Sequence, residues 1–415
     1  MKDVILKLEN KEKLSYDEIS LLFNGYLNGD VSDKDMTHVL KLICLNGLSD
    51  EEVFDLTDIF IKSGDSFPKN DNFIDKHSTG GVGDKTTLIL LPILASLGVK
   101  VSKMSGKALG HTGGTIDKLN SIGVKTDLTS EEFYDAIEKC GMVISSQTSN
   151  LCPMDKKVYA LRDVTGTTMS IPLIASSIMS KKIASGAGKI LLDVKVGSGA
   201  LLNNISDAEK LSDLMIKIGK KYDREVVCML TDMDVPLGDN VGNKIEILEV
   251  IDILKNGKRN SLSTLVIEMA SLMLSMYEGS DVDLNRDRVI EVLSNGKSYE
   301  TFLNYVNYMG GSLDIDISNC FNLFSKSTGY ISLVNSLLIG ESSMKFGAGR
   351  VKKDDEIDYD AGIILVKNYG DFVYEGDVIA KISGSGNGSL YDVYKAFSFS
   401  SIEPKKRDVI LKIMK

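Results

Sequence analysis

Residues 73–119 read FIDKHSTGGVGDKTTLILLPILASLGVKVSKMSGKALGHTGGTIDKL, and they carry one physical plan twice. Apolar Phe73 and Ile74 lead into a loop with Gly80, Gly81 and Gly83, which opens into the helix-length apolar run LILLPILASLG. One unit later VKVSKM leads into a second glycine-rich loop, ending at Gly113 and Gly114 before TIDKL. Glycine at a strand-to-helix turn lets several backbone N–H groups converge, and the helix dipole adds partial positive charge, so such turns bind anions. A single loop of this kind reads equally as a tight connection. Two in consecutive units of a parallel sheet meet at its carboxyl edge, where α/β proteins hold ligands. Neither loop has the lysine-terminated nucleotide pattern or the G-x-G-x-x-G spacing, so a small anion such as free phosphate fits better than a nucleotide.

Cations and hydroxyls flank both loops: Lys76, Ser78 and Thr87 at the first, and Lys103, Ser105, Thr112 and Thr115 at the second. His77 lies beside Lys76 and is placed to serve as acid, base or hydrogen-bond donor near a bound anion. His111 sits between Gly110 and Thr112, where shaping the turn is an equal reading, and His38 falls in a helical stripe as a packing or surface residue.

The rest of the chain sets the frame. Its 415 residues exceed what one hydrophobic core usually holds, so two or three domains are expected. A formal charge of −10 argues against a nucleic-acid surface, so any phosphate must be held locally. The five scattered cysteines include no C-x-x-C pair, which favours reduced thiols over disulfides or zinc. With no stretch of transmembrane length and a charged N-terminus, a cytoplasmic protein without membrane contact is expected.

Ser15 with Glu18, Ser32 with Asp35 and Ser49 with Glu52 have capping-box spacing ahead of apolar stripes such as Leu40, Ile43 and Cys44, then Val53, Leu56 and Phe60. Residues 1–66 therefore read as a helical domain, joined by a returning helical segment near 157–190. Short β-branched runs alternate with helix-length segments through 67–326, as in a mostly parallel α/β sheet. Residues 327–415 turn β-rich and read as a third, smaller domain.

At these residues the chain resembles the thymidine and pyrimidine-nucleoside phosphorylases. DKHSTGGVGD matches that family's first loop, and SGKALGHTGGTIDKL its signature. DKKVYALRDVTGTTMSIPLIASSIMSKK matches the base-binding segment, while LLDVKVGSGA, LTDMDVPLG and GAGRVKKDDEIDYDAGI match further blocks in order. The resemblance implies a helical domain, an α/β domain and a C-terminal α+β domain, the plan of nucleoside phosphorylases and phosphoribosyltransferases. It also implies a homodimer that converts a pyrimidine nucleoside and inorganic phosphate reversibly into base and α-D-pentose 1-phosphate, without an organic cofactor. Phosphate then falls to Lys76, Ser78, Thr87, Lys103, Ser105 and Thr115, and the base to Arg162, Ser177 and Lys181, with His77 between them. Spacing agrees: Ser177 and Lys181 are four apart, hence on one helix face, and cationic donors with a hydroxyl complement a pyrimidine dione. Catalysis would rest on His77, Arg162 and Lys181.

The chain departs from the signature at Lys107 and Ala108, where Arg-Gly is usual, and at Asn120, where glutamate is usual. Lysine keeps the charge but loses the guanidinium fork. YALRDV and ASSIMSKK resemble the broad-specificity branch, acting on uridine, thymidine and deoxyuridine, more than the thymidine-restricted one. The rival reading is an anthranilate phosphoribosyltransferase-like enzyme. Some relatives bind a monovalent cation at positions matching Gly83, Lys85, Leu237, Asn240 and Glu249, with threonine at the position of Lys85. Lys85 is expected to take that ion's place and pair with Glu249, the alternative being a surface lysine after Asp84.

Overall fold

The computed structural model describes residues 2–106, 113–146, 150–317, 319–350, 352 and 355–415. Its helical lobe begins with α1 (Lys2–Glu9), α2 (Tyr16–Asn28), α3 (Asp33–Asn46) and α4 (Asp50–Lys62). Ser15 and Ser49 start α2 and α4 with complete capping boxes, each hydroxyl accepting from the third helical N–H while Glu18 or Glu52 accepts the cap N–H. Ser32 also caps α3, but the shorter Asp35 carboxylate takes the Ser32 hydroxyl instead. Leu22, Phe23, Leu40, Ile43, Leu56 and Phe60 meet in one core. Cys44, expected in that stripe, is exposed, and Val53 turns to a second core.

The central lobe follows with β1 (Asn70–Ser78), α5 (Thr86–Ser96), β2 (Val101–Ser105), α6 (Thr115–Asn120), α7 (Ser130–Cys140) and β3 (Met142–Ser146). Next, α8 (Pro153–Thr165) and α9 (Ile171–Ala184) return to the helices: Met154, Val158, Leu161 and Leu173 complete their core, and α9 packs on α4. The chain then forms β4 (Ala187–Val196), α10 (Ile205–Lys221) and β5 (Glu225–Asp232). Strands β1, β4 and β5 are parallel neighbours in that order, and β2 and β3 form a separate parallel pair. Helix α5 is buried on nearly all sides, as its uninterrupted apolar run requires.

After β6 (Asn240–Gly242) come α11 (Lys244–Asn256), α12 (Ser261–Glu278), α13 (Val282–Ser294) and α14 (Lys297–Tyr308). The remaining elements are β7 (Phe321–Phe324), β8 (Gly329–Val334), α15 (Ser336–Ser343), a π turn (Met344–Ala348), β9 (Gly362–Leu365), β10 (Phe372–Val373), β11 (Val378–Ser383), α16 (Leu390–Lys395), β12 (Phe397–Ser400) and β13 (Ile410–Met414). Strand pairing ignores a border at 326/327. Strands β6 and β7 join β9 and β11 in one sheet, whereas β13 leaves the C-terminal lobe and lies antiparallel on the edge of β5. Strands of three or four residues are too short to show a period, which is why β6 and β7 escape a reading by pattern. Among the described residues, no helix is long and apolar enough to cross a membrane.

Arg407 fastens the return of β13. Its Nε and Nη2 donate to Asp232 at 2.7 and 2.8 Å, and Nη2 reaches Asp234 at 2.9 Å. Arg407→Ala leaves the buried Asp232 carboxylate without its cation and is expected to cost about 2 kcal/mol of unfolding free energy. Urea titration measures this, and an unmoved midpoint would show that the fastening contributes nothing.

Candidate active site

The first loop is built from its buried charges. Lys76, at the end of β1, donates to Thr86 Oγ1 at 2.6 Å and lies 3.2 Å from Asp193 on β4. Asp193 is shared: Lys195 stands 2.8 Å away, and Thr231 donates to its other oxygen at 2.7 Å. Residues 193 and 195 alternate along the strand and therefore face the same side. Ser78 donates to Asp84, which also receives the Thr86 hydroxyl at 2.6 Å, and Gly80 N donates to Ser78 Oγ at 3.1 Å. Burial opposes ionisation of Asp84, yet Lys76, Lys195 and the two hydroxyls hold its carboxyl well below the usual range. Thr87 is buried in the first turn of α5. Gly80 and Gly83 adopt φ of +92° and +75°, and a Cβ on Gly83 would stand 2.6 Å from Leu237 O, so the turn needs glycine there.

Strand β2, which leads into the second loop, is tied to β1 by Lys103. Its ammonium nitrogen, on β2, donates to Lys76 O at 2.6 Å, joining two strands that belong to different sheets. Burial lowers the pKa of Lys103 well below the usual range, with Lys182 and Lys76 adding to the effect and Asp75 opposing it. Ser105 closes β2 and Thr115 opens α6. The loop between them, with Lys107, Ala108, His111 and Thr112, lies outside the described residues. Asn120 accepts the Thr126 hydroxyl at 3.0 Å.

Facing these loops, α9 presents neighbouring lysines in two directions. Lys181 pairs with Asp155 of α8 and donates to Ser177 Oγ at 3.0 Å, whereas Lys182 pairs with Asp75 of β1 at 2.6 Å. Both lysines border a small cleft with Phe73, Asp75, Ser102, Met104 and Leu151. Arg162, 2% exposed, donates Nε, Nη1 and Nη2 to the carbonyls of Thr167, Leu173 and Thr168. The imidazole of His77 is held well below its usual pKa by burial, then by Lys103, Lys182, Lys181 and Lys76. The group read as lying between phosphate and base is thus within electrostatic reach of lysines from both sides. The carboxylates Asp75, Asp84, Asp155 and Asp193, with Lys182 and Lys195, were not singled out from the sequence. The one local signal was charge inside the apolar runs FIDK and LLDVKV.

Lys85 is wholly buried with Glu249, 2.8 Å from Oε2. Its ammonium also donates to Asn240 O at 2.7 Å and Leu237 O at 3.1 Å. Glu249 accepts from Asp239 N, Asn240 N and the Asn260 amide at 2.8, 3.0 and 2.6 Å. The structure therefore brings Gly83, Lys85, Leu237, Asn240 and Glu249 together around a lysine ammonium.

Three family models match the chain in order. They are a glycosyl transferase family helical bundle domain over residues 2–64, the a/b domain of that family over 70–299, and the pyrimidine nucleoside phosphorylase C-terminal domain over 330–398. The chain is 42% identical to a pyrimidine-nucleoside phosphorylase of Bacillus subtilis, across 92% of this chain and 91% of that one. Against the enzyme of the same name from Geobacillus stearothermophilus it is 40% identical, across 92% and 91%. Among solved structures, anthranilate phosphoribosyltransferase from Thermus thermophilus shares the fold, with a TM-score of 0.59 at 17% identity over 74% of this chain and 99% of that one.

The lowered pKa of His77 carries a stability signature. The folded chain keeps the imidazole neutral while the unfolded chain protonates near pH ~6.5, so the unfolded state binds more protons below that value. The contribution is complete above about pH 6.5 and is lost as pH falls from there toward the folded value. His77→Asn is expected to flatten the fall in unfolding free energy between about pH 7 and about pH 5. Denaturant titrations across that range test it, and an unchanged slope would assign the dependence to another group.

Proposed function

This chain belongs to the pyrimidine-nucleoside phosphorylase family of pentosyltransferases, and from that premise we propose that it catalyses reversible phosphorolysis of uridine, thymidine and deoxyuridine. The observation that carries the reading is the Lys103 contact with Lys76 O, which ties β1 to β2, the strands that lead into the two glycine loops, beside His77 and the lysines of α9. Phosphate would be held by Lys76, Ser78, Thr87, Lys103, Ser105 and Thr115. The pyrimidine would be held by Arg162, Ser177 and Lys181. Of the three ammonium protons of Lys181, Asp155 and Ser177 take two, and one is left for a base carbonyl. Arg162 commits three of its five N–H donors to backbone carbonyls, leaving two for the other carbonyl.

A phosphate oxygen attacks C1′ from the face opposite the base. The C1′–N1 bond breaks, its electron pair leaves with the pyrimidine, and the C1′–O bond to phosphate forms with inversion. Lys181 and Arg162 stabilise charge on the departing base, while the positioned phosphate offsets positive charge on the sugar. His77, neutral in the substrate-free protein, donates a hydrogen bond from its N–H, and a bound phosphate anion beside it favours its protonated form. No covalent enzyme intermediate is needed. A cytoplasmic homodimer completes the reading.

Lys181→Ala removes a charge-assisted hydrogen bond worth about 1.5–3 kcal/mol, so kcat/KM for uridine is expected to fall by about one to two decades. The assay is the phosphate-dependent change in ultraviolet absorbance, and near-normal turnover by the variant would remove Lys181 from the base site.

We also propose that Lys85 supplies the positive charge that relatives obtain from a monovalent cation. Activity is then the same with and without potassium. Lys85→Thr removes the nearer cation of the buried Glu249, leaving Lys258 at 3.8 Å, at a cost of about 3 kcal/mol, and potassium is expected to restore part of the lost melting temperature. Strong potassium activation of the unmodified protein would refute the substitution.

A further inference from the structure

The short helix α6 opens with Thr115, yet its first turn has little holding of its own. Gly113 and Gly114 precede it, and Gly114 caps it without a side-chain bond. What fixes it comes from outside. Ile116 and Leu119 are fully buried, Lys118 lies 3.3 Å from Glu246 of α11, and Asp117, 1% exposed, lies 2.9 Å from Arg350 Nη1. Arg350 belongs to the C-terminal lobe, two residues beyond the π turn that includes Gly347 at φ +113°. That turn is itself tied to the central lobe, since Asn243 donates to Ala348 O at 2.8 Å and Ser343 donates to Val241 O at 3.1 Å. Glu246 N–H bonds and Asn243 lie on the same short stretch that receives Lys85 through Asn240 O and Glu249. Met344 and Ala348 of the π turn line one small cleft with Gly113, Gly114 and Asp117.

We propose that Arg350 is a positioning residue for phosphate: through its ion pair with Asp117 it sets the start of α6, and with it Thr115 and the backbone N–H groups of Gly113 and Gly114. The inference rests on the phosphorolysis reading above. Arg350 touches no reacting atom, so its loss acts on the placement of one substrate. Its side chain is 15% exposed, which makes the site reachable by small solutes.

Arg350→Ala is expected to raise KM for inorganic phosphate about tenfold, while KM for uridine and kcat at saturating phosphate stay within about twofold. Guanidinium ion at low millimolar concentration is expected to lower the phosphate KM of this variant and leave that of the unmodified enzyme alone. Arg350→Lys, which keeps the charge and loses the fork, should fall between the two and serves if the alanine variant does not fold. An unchanged phosphate KM in both variants, or a parallel decline of kcat and both KM values, would overturn the role of Arg350. Absence of phosphate-dependent cleavage by the unmodified enzyme would overturn the phosphorolysis reading instead, so the two failures are distinct.

Discussion

An ammonium group taken out of water needs a counter-charge, and this protein buries several within a few strands of one another. Lys76, Lys85, Lys103, Lys118 and Lys195 are all nearly inaccessible. Asp193 answers Lys76 and Lys195, Glu249 answers Lys85, and Glu246 answers Lys118. Apart from Asp193 with Lys195, which are neighbours on β4, each pair spans elements distant in sequence, so satisfying the charge and assembling the site are one event. Lys103 differs in kind: its ammonium donates to a carbonyl, and its basicity is depressed. The result is a cluster whose positive charge is mostly answered by carboxylates at rest.

How much of this could be read from the chain depends on range. Capping at Ser15 and Ser49 was legible because the partners sit three residues apart, and the βα alternation because strands such as β4 and β5 are long and apolar. The first glycine loop was legible for the same local reason. By contrast, β6 offers three residues and β10 two, and β13 pairs across the whole C-terminal lobe. Nothing local announces such pairings. Among the carboxylates, Asp155 looks ordinary in sequence and Asp193 is marked only by its apolar run, and only the fold shows that they hold Lys181 and Lys76. Lys85 with Glu249 was anticipated through resemblance, since no spacing rule connects them.

On the side proposed to hold the base, the donors of the resting state are accounted for in a similar way. Arg162 braces the turn between α8 and α9 through three carbonyls, so the guanidinium is a structural strut as well as a source of N–H groups. Lys181 and Ser177 are already hydrogen-bonded to each other. Such mutual satisfaction holds side chains in place before a ligand arrives, which reduces the ordering cost of binding.

The antiparallel strand β13 on β5 bears on how the chain is made. Strand β5 leaves the ribosome early and β13 only after the entire C-terminal lobe, so during synthesis the outer edge of β5 presents unpaired N–H and C=O groups beside apolar side chains. An open edge of this kind templates pairing with any neighbouring strand, including one from another nascent copy. Translation speed through the lobe thus sets how long the central sheet stays vulnerable to such mispairing.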